Sequence, residues 1–328
     1  MDILSASVAS AFVTGGSGFI GRRLIRRLVA VGWTVRALAR SDRSAGLVAD
    51  AGAEAVRGDL TDAASLREGA SGCELAFHAA AEVGDWGTRE RFERVNVQGT
   101  KDVIAACRGA GVRRLVHVGT EAALLAGQPL VNVDETAPLR PDSPVLYCST
   151  KAKAEQAVRD ANADGLETVV VRPRFVWGPD DTVLLPNLIE LVKKGRFAWV
   201  GGGRQLTATA HVDNVVEGLW LGATRGAPGG VYFVTDGEPV EFREMVTRML
   251  ATAGVEAPDK NVPAPVARAG AALSETLWRL LPLRGHPPIT RFAVWVSSLE
   301  CTIDISRARS ELGYQPLRTR DEGLAALG

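Results

Sequence analysis

The sequence predicts an α/β fold, a doubly wound parallel sheet followed by a smaller mixed C-terminal substrate lobe, and three observations carry that prediction. Short β-branched or apolar runs alternate with longer helical patterns through the first half, the sign of βαβ units. A glycine-rich loop, Gly15 to Gly21, separates the first run from the first helical pattern. After Pro173 the alternation loosens, and Pro179, Pro186, Gly201-Gly202-Gly203 and Pro228-Gly229-Gly230 cut the chain into short pieces.

Ala11-Phe12-Val13 reads as the first strand. Gly18 to Val31 follows as a helix because Ile20, Leu24, Leu28 and Val31 recur at helical spacing, and Thr34 to Ala39 as a second strand completes one βαβ unit. Further strands are expected at Ala53 to Arg57, Leu75 to His78, Arg114 to Val118 and Thr168 to Val171, with helices at Asp62 to Ala70, Arg91 to Ala110 and Ser149 to Ala163. The run Gly230-Val231-Tyr232-Phe233-Val234 predicts a return to the sheet, so the lobes interleave. Residues 1–176, with returning segments near 205–236, are expected to form the dinucleotide-binding domain; residues 177–204 and 237–328 are expected to form the substrate lobe. No internal repeat or low-complexity tract interrupts this reading.

Composition narrows the partners. Hydrophobic residues at 46% and charged residues at 23% match a soluble globular chain, which excludes a disordered or fibrous class. Lys plus Arg equals Asp plus Glu at 38 each, so there is no basic footprint for nucleic acid or an anionic membrane, and small molecules are the expected partners. Cys73, Cys107, Cys148 and Cys301 form no C-x-x-C pair, which argues against a zinc site or a disulfide framework and for a reducing cytoplasm. Met1 to Ser10 lacks the pattern of a signal peptide. The apolar stretch Ala264 to Leu281 is interrupted by Arg268, Glu275 and Arg279, so no membrane span is expected.

Thr14-Gly15-Gly16-Ser17-Gly18-Phe19-Ile20-Gly21 follows a predicted strand and opens a predicted helix, the context a dinucleotide fingerprint requires. Gly15 permits the tight turn, Gly18 lets backbone N–H groups approach a pyrophosphate, and Gly21 allows close packing of helix on strand. The spacing Gly-x-x-Gly-x-x-Gly after Thr14 resembles the short-chain dehydrogenase/reductase family, and Thr-Gly-x-x-Gly-Phe-Ile-Gly its extended branch. That resemblance implies a Rossmann fold with Gly15, Gly18, Phe19, Ile20 and Gly21 beside the cofactor.

The second strand ends in Leu38-Ala39-Arg40-Ser41, where an enzyme preferring NAD places an acidic residue for the ribose 2'-hydroxyl. Arg40 instead offers a planar cation to a 2'-phosphate, helped by Ser41 and Arg43, so NADP(H) is favoured over NAD(H); the bland alternative is a solvated arginine. By the same resemblance Asp59 and Leu60 contact the adenine, and Ala79, Ala80 and Ala81 form the small-residue segment that passes beside the cofactor.

Tyr147-Cys148-Ser149-Thr150-Lys151 places Tyr and Lys four apart, so that at a helix start both side chains point into one cleft. A tyrosine ordinarily titrates near 10, and an adjacent ammonium with an oxidised nicotinamide is expected to stabilise tyrosinate. Lys151 is also expected to hold the cofactor ribose. The resemblance puts Thr120 at the family's substrate-binding serine, where its hydroxyl hydrogen-bonds the substrate oxygen; the alternative is a plain strand-end cap. Glu121 stands next to it as a further substrate-side candidate, and Asn96 is read as mainly structural.

Later phrases resemble the subgroup that includes 3β-hydroxysteroid dehydrogenases and 3-ketoacyl reductases: Ala81 to Gly87, Tyr232 to Pro239, Pro288 to Phe292, Asp304 to Arg309 and Leu312 to Pro316. Arg172 to Pro179 resembles the segment that packs Pro173 and Val176 near the nicotinamide. Trp86 and Trp177 line an apolar substrate cavity or belong to the core. His211-Val212-Asp213-Asn214 resembles a structural return motif, and no metal is expected. The implied activity is ketone reduction, or oxidation of the matching secondary alcohol, on a bulky, largely apolar small molecule, by a protein of a family whose helices often pair into homodimers. The competing readings are a nucleotide-sugar epimerase or dehydratase with tightly held NAD, and a redox-sensing protein that binds the cofactor without turnover.

Overall fold

In the computed structural model, residues 9–163, 165–281, 283 and 285–328 are described, so most of the leader expectation for Met1 to Ser10 lies outside the described residues. Strand β1 (Ser10–Thr14) is buried on both faces from Ala11 onward, as the centre of a parallel sheet demands. From it the chain runs through α1 (Phe19–Ala30) to β2 (Thr34–Ala39), through α2 (Asp42–Asp50) to β3 (Glu54–Arg57), and through α3 (Ala63–Ala70) to β4 (Leu75–His78). A loop then leads to one long helical passage, α4 (Arg89–Phe92), a π-helical turn at Glu93–Gln98 and α5 (Gly99–Ala110), which delivers the chain to β5 (Arg114–Val118).

Beyond β5 lie β6 (Leu130–Val133), α6 (Leu146–Asp160) and β7 (Glu167–Pro173). Then come β8 (Val176–Trp177), α7 (Leu184–Lys193), β9 (Trp199–Val200), β10 (Leu206–Thr207), β11 (Ala210–His211), α8 (Val212–Arg225) and β12 (Val231–Val234). The main sheet has seven strands in the order β12-β7-β5-β4-β1-β2-β3, all parallel. Strand order reverses between β1 and β4, and the crevice outside the carboxyl ends of such neighbours is where open α/β sheets bind ligands. Alternate side chains leave the sheet on opposite faces, so Val13, Phe77 and Val116 meet Leu24, Leu28 and Leu219 on one side. Phe12, Leu115 and Val170 meet Leu66, Ile104 and Val158 on the other.

The remaining elements are β13 (Val240–Glu241), α9 (Phe242–Thr252), β14 (Asn261–Val262), α10 (Ala264–Leu280), α11 (Arg291–Ser298), β15 (Cys301–Ile303) and α12 (Arg320–Ala325). A four-stranded sheet, β13-β10-β15-β6, anchors this lobe. It draws β6 from within the first half of the chain and β10 from the returning stretch, so the interleaving runs deeper than alternation alone implies. Among the described residues no helix is long and apolar enough to cross a membrane.

Candidate active site

The glycine loop is shaped by backbone crowding. Gly15 adopts φ +73°, a left-handed conformation that disfavours side chains, and a Cβ there would stand 2.5 Å from the Ala80 nitrogen. A Cβ on Gly21 would stand 2.2 Å from the Gly15 carbonyl oxygen, so helix α1 can lie against the loop only with glycine there. Gly16 is equally constrained, its Cβ position lying 2.9 Å from both Ala37 Cβ and Ile25 Cδ1, a packing role that the motif spacing leaves unassigned. Gly18 caps α1 with no side-chain hydrogen bond, so the N–H groups of the first turn, Phe19 and Ile20 among them, remain free for an anion. The Ala79 N–H donates to the Thr14 carbonyl at 3.0 Å, which lays Ala79-Ala80-Ala81 against the loop. These residues fit a dinucleotide: a cradle that any larger residue would fill lies at the switch point and faces an open helix N-terminus.

Arg40 is exposed at the end of β2. The Asp42 carboxylate turns to Arg57, leaving no acid paired with Arg40 among the described residues. Ser41 caps α2, accepting from the Ser44 N–H at 3.2 Å in a reciprocal capping box. Asp59 accepts from the Thr61 N–H and hydroxyl at 3.2 and 3.1 Å, and Leu60 is buried against Gly99.

Tyr147 and Lys151 lie on the first turns of α6, with Lys151 buried and Tyr147 half-buried. Lys151 Nζ donates to the Val118 carbonyl at 2.8 Å and lies 3.4 Å from His117 Nε2. Burial pulls its ammonium down to about 8, partly offset by the Glu155 carboxylate one turn further along α6. The Tyr147 phenol shifts opposite to expectation. Burial and the charge of Glu121 push it well above its usual value, and the neighbouring Thr120 hydroxyl only partly counters them.

Of its two alternatives, Thr120 displays the cap. Its hydroxyl oxygen accepts from the Ala122 N–H at 3.2 Å, capping the 3-10 turn at Glu121–Leu124, while its proton goes to Glu121 Oε2 at 2.8 Å. Glu121 is buried, and its other oxygen accepts from Arg174 Nη1 at 2.6 Å; Arg174 in turn donates to Thr207 at 3.1 and 3.0 Å. Glu121 is therefore an internal partner of Thr120 and not an exposed substrate contact.

Several site residues were outside the sequence reading. His78 and His117 face each other in register on β4 and β5, rings 5.2 Å apart, under α5 and α6. His78 is tied to Thr14 and Thr100 at 2.7 and 2.9 Å, and burial together with the Lys151 charge holds both imidazoles neutral. Glu155 and Arg172 form a second ion pair with no solvent exposure, Arg172 Nε donating to both carboxylate oxygens at 3.1 and 3.0 Å. Asn96, read as structural, sits on the π-helical turn, binds both backbone groups of Glu82 and donates to Thr150 at 3.1 Å, fixing the loop after β4 onto α6.

The two tryptophans separate. Trp177 is fully buried, its indole N–H donating to Asp236 at 2.8 Å and its ring edge-on to His211, so it belongs to the core and not to a substrate wall. Trp86 lines a crevice with Phe92, Val145, Leu146 and Arg279, whose guanidinium lies 5.5 Å from the indole centroid. Phe292 packs edge-on to Tyr147 at 5.4 Å, and Thr290 donates to Asp85 at 2.6 Å, which closes the C-terminal lobe over the Tyr147 side. Pro173 is buried at the end of β7, and Phe175 at φ +44° turns the chain so that Val176 begins β8. The His211-Val212-Asp213-Asn214 stretch is structural: His211 N–H and Asn214 Nδ2 both donate to Asp236.

A glycine cradle at the switch point of a parallel sheet, with a Tyr/Lys pair opening the helix after β5, defines an NAD(P)-dependent oxidoreductase of the extended short-chain dehydrogenase/reductase type. Residues 12–264 match the 3-beta hydroxysteroid dehydrogenase/isomerase family, and the chain belongs to that family. It is 50% identical over 317 residues, 96% of this chain and 95% of the relative, to a 4-hydroxy-2-methyl-3-oxo-4-farnesyl-3,4-dihydroquinoline-1-oxide ketoreductase of Stigmatella aurantiaca. It is 38% identical over 323 residues, 96% of this chain and 97% of the relative, to a 2-alkyl-3-oxoalkanoate reductase of Stenotrophomonas maltophilia. The crystal structure of gox2253 matches with a TM-score of 0.79 at 29% identity, covering 97% of each chain. The protein is thus an enzyme that interconverts a ketone and an alcohol.

Proposed function

We propose that this enzyme works as an NADPH-driven ketoreductase on a bulky, largely apolar molecule whose ketone adjoins an alkylated carbon. The observation that carries the reading is the pair of half-buried Tyr147 and buried Lys151 on α6, with Phe292 packed edge-on to the tyrosine. Both named relatives reduce a 3-oxo compound alkylated next to the ketone, one of them bearing a farnesyl chain, which supports the substrate class. Arg40, free of an acidic partner at the end of β2, supports NADP(H).

The glycine cradle would hold the dinucleotide, whose nicotinamide would supply the hydride for ketone reduction. Tyr147 Oη gives its proton to the carbonyl oxygen as charge builds there. Lys151, fixed by the Val118 carbonyl, keeps a remaining ammonium proton for the ribose. Thr120 stands beside the phenol, and Phe292, edge-on to its ring, shields one side of it from water.

Tyr147→Phe removes only the phenolic oxygen. With a 2-alkyl-3-oxoalkanoate ester and NADPH, kcat is expected to fall by about 10²- to 10⁴-fold while the NADPH dissociation constant changes little. A variant with near-normal kcat overturns the assignment.

A further inference from the structure

A tyrosine that gives up a proton in every turnover is ordinarily placed near positive charge, yet here the charged side chain that shifts it is the Glu121 carboxylate. Around the Tyr147 hydroxyl, Glu121 comes from the turn after β5, Cys148 from α6 and Phe292 from α11. Lys151, on the same helix, spends its ammonium on the Val118 carbonyl and lies beside His117 of β5. Behind Glu121 stand Arg174, Thr207 of β10 and the buried thiol of Cys301 on β15. The Glu121–Arg174 pair has side chains 6% and 2% exposed, so water cannot screen it as it would a surface pair.

We propose that Glu121, clamped by Arg174 beneath Thr120, is a positioning residue of the proton-transfer site: its carboxylate takes the Thr120 hydroxyl proton, leaves the Thr120 oxygen as an acceptor toward Tyr147, and keeps the phenol in its proton-donating form. The geometry requires the first step. A threonine hydroxyl has one proton, and the 2.8 Å bond to Glu121 Oε2 uses it. A lone pair of that oxygen receives the Ala122 N–H at 3.2 Å, and the other is left for a donor. Because that proton is spent on Glu121, the lowering that a donating Thr120 hydroxyl exerts on Tyr147 is withheld, and the carboxylate behind it penalises tyrosinate. Arg174 makes the arrangement durable, because a buried carboxylate without a partner is strongly unfavourable.

The inference rests on Tyr147 being the acid, and the experiment separates the two. The titration of Tyr147 is read from tyrosinate absorbance near 295 nm, taken as the difference between a protein and its Tyr147→Phe counterpart, with and without NADP+. Glu121→Gln keeps the shape and removes the charge. Its Tyr147 midpoint is expected at least one pH unit below that of the parent in the same state, a tenfold loss of proton affinity, and Glu121→Asp is expected to restore most of the shift. The rise of alcohol oxidation with pH moves down with it, whereas a merely structural role lowers rates without moving the limb. If the single variant does not fold because Arg174 is left unpaired, Glu121→Gln/Arg174→Met removes both charges and carries the same reading. A Tyr147 midpoint no lower than the parent's overturns the inference. Full activity of Tyr147→Phe would instead overturn the functional reading beneath it.

Discussion

The two ends of this site are built from different materials. The cofactor end is backbone: Gly15, Gly16 and Gly21 are required because neighbouring main chain or side chains occupy the space a Cβ would need. The Tyr147 end is charge: Lys151, held on the Val118 carbonyl, and the Glu121–Arg174 and Glu155–Arg172 ion pairs are all buried, across strands, turns and α6. A backbone cradle is local and steric, so it tolerates little but depends on few partners. A desolvated charge network is long-range, and removing one member leaves its partner buried and unpaired at a cost of about 3–5 kcal/mol.

The sharpest way to break this contrast is at Gly15. Gly15→Val forces a β-branched residue into φ +73° and drives Cβ to within 2.5 Å of the Ala80 nitrogen, a backbone atom with no rotamer to yield. Left-handed strain costs about 1–3 kcal/mol, and the displaced loop adds to it, so NADPH affinity is expected to fall on the order of 100-fold. Fluorescence titration of NADPH measures it. The phenol titration of Tyr147 should be unmoved in this variant, because among the described residues the hydrogen bonds of Lys151, Glu121 and Arg174 go to Val118, His117, Thr120 and Thr207 and not to Gly15 or Ala80. A dissociation constant within about threefold of the parent would mean that the cradle is softer than its contacts suggest.

That contrast also explains what was legible in the sequence. Every strand of the main sheet fell within one or two residues of its expected place, because β-branched runs bounded by turns are local signals, and the Tyr147/Lys151 spacing needed only the helix period. Helix α2 escaped notice: its core contribution is mainly Val48, and its capping box pairs Ser41 with Ser44 in place of the usual acidic residue. The lobe after Pro173 was opaque for a physical reason. Strands β8 to β11 are two residues long and are fixed by parallel partners far away, so they carry no period to read. Arg174 and Glu121 lie 53 residues apart, and no spacing rule joins them. His78 and His117 left one usable trace, since equivalent positions on two neighbouring strands both carry histidine.

Trp177 offers a second test, smaller in effect, of where the site stops. Its indole N–H donates at 2.8 Å to Asp236, the carboxylate that also holds His211, Asn214 and Thr209. Trp177→Phe deletes that donor and part of a fully buried ring, so a loss of about 2 kcal/mol in stability is expected, seen as a melting temperature a few degrees lower. KM for the ketone should not change. A raised KM at unchanged stability would make Trp177 a substrate contact and not a core residue.

The smallest expected effect tests the exposed edge of the cradle, where neither crowding nor burial enforces a choice. Arg40 is solvent-exposed at the end of β2, so under the proposed reading its contact with a 2'-phosphate would be a charge-assisted hydrogen bond in high dielectric. Arg40→Asp removes that donor and offers a ribose acceptor, so the ratio of NADPH to NADH dissociation constants is expected to move by roughly 10-fold toward NADH. Because the Asp42 carboxylate turns to Arg57, the new carboxylate would be free to face the ribose. Screening supplies the control: the parent's preference for NADPH should shrink as salt rises from about 0.05 to 0.5 M, since exposed charges lose their reach as the Debye length contracts, while any preference set by the glycine cradle should not. Equal affinity for both coenzymes in the parent, unchanged by Arg40→Asp and by salt, would show Arg40 to be an ordinary surface arginine and would leave coenzyme choice to the backbone end alone.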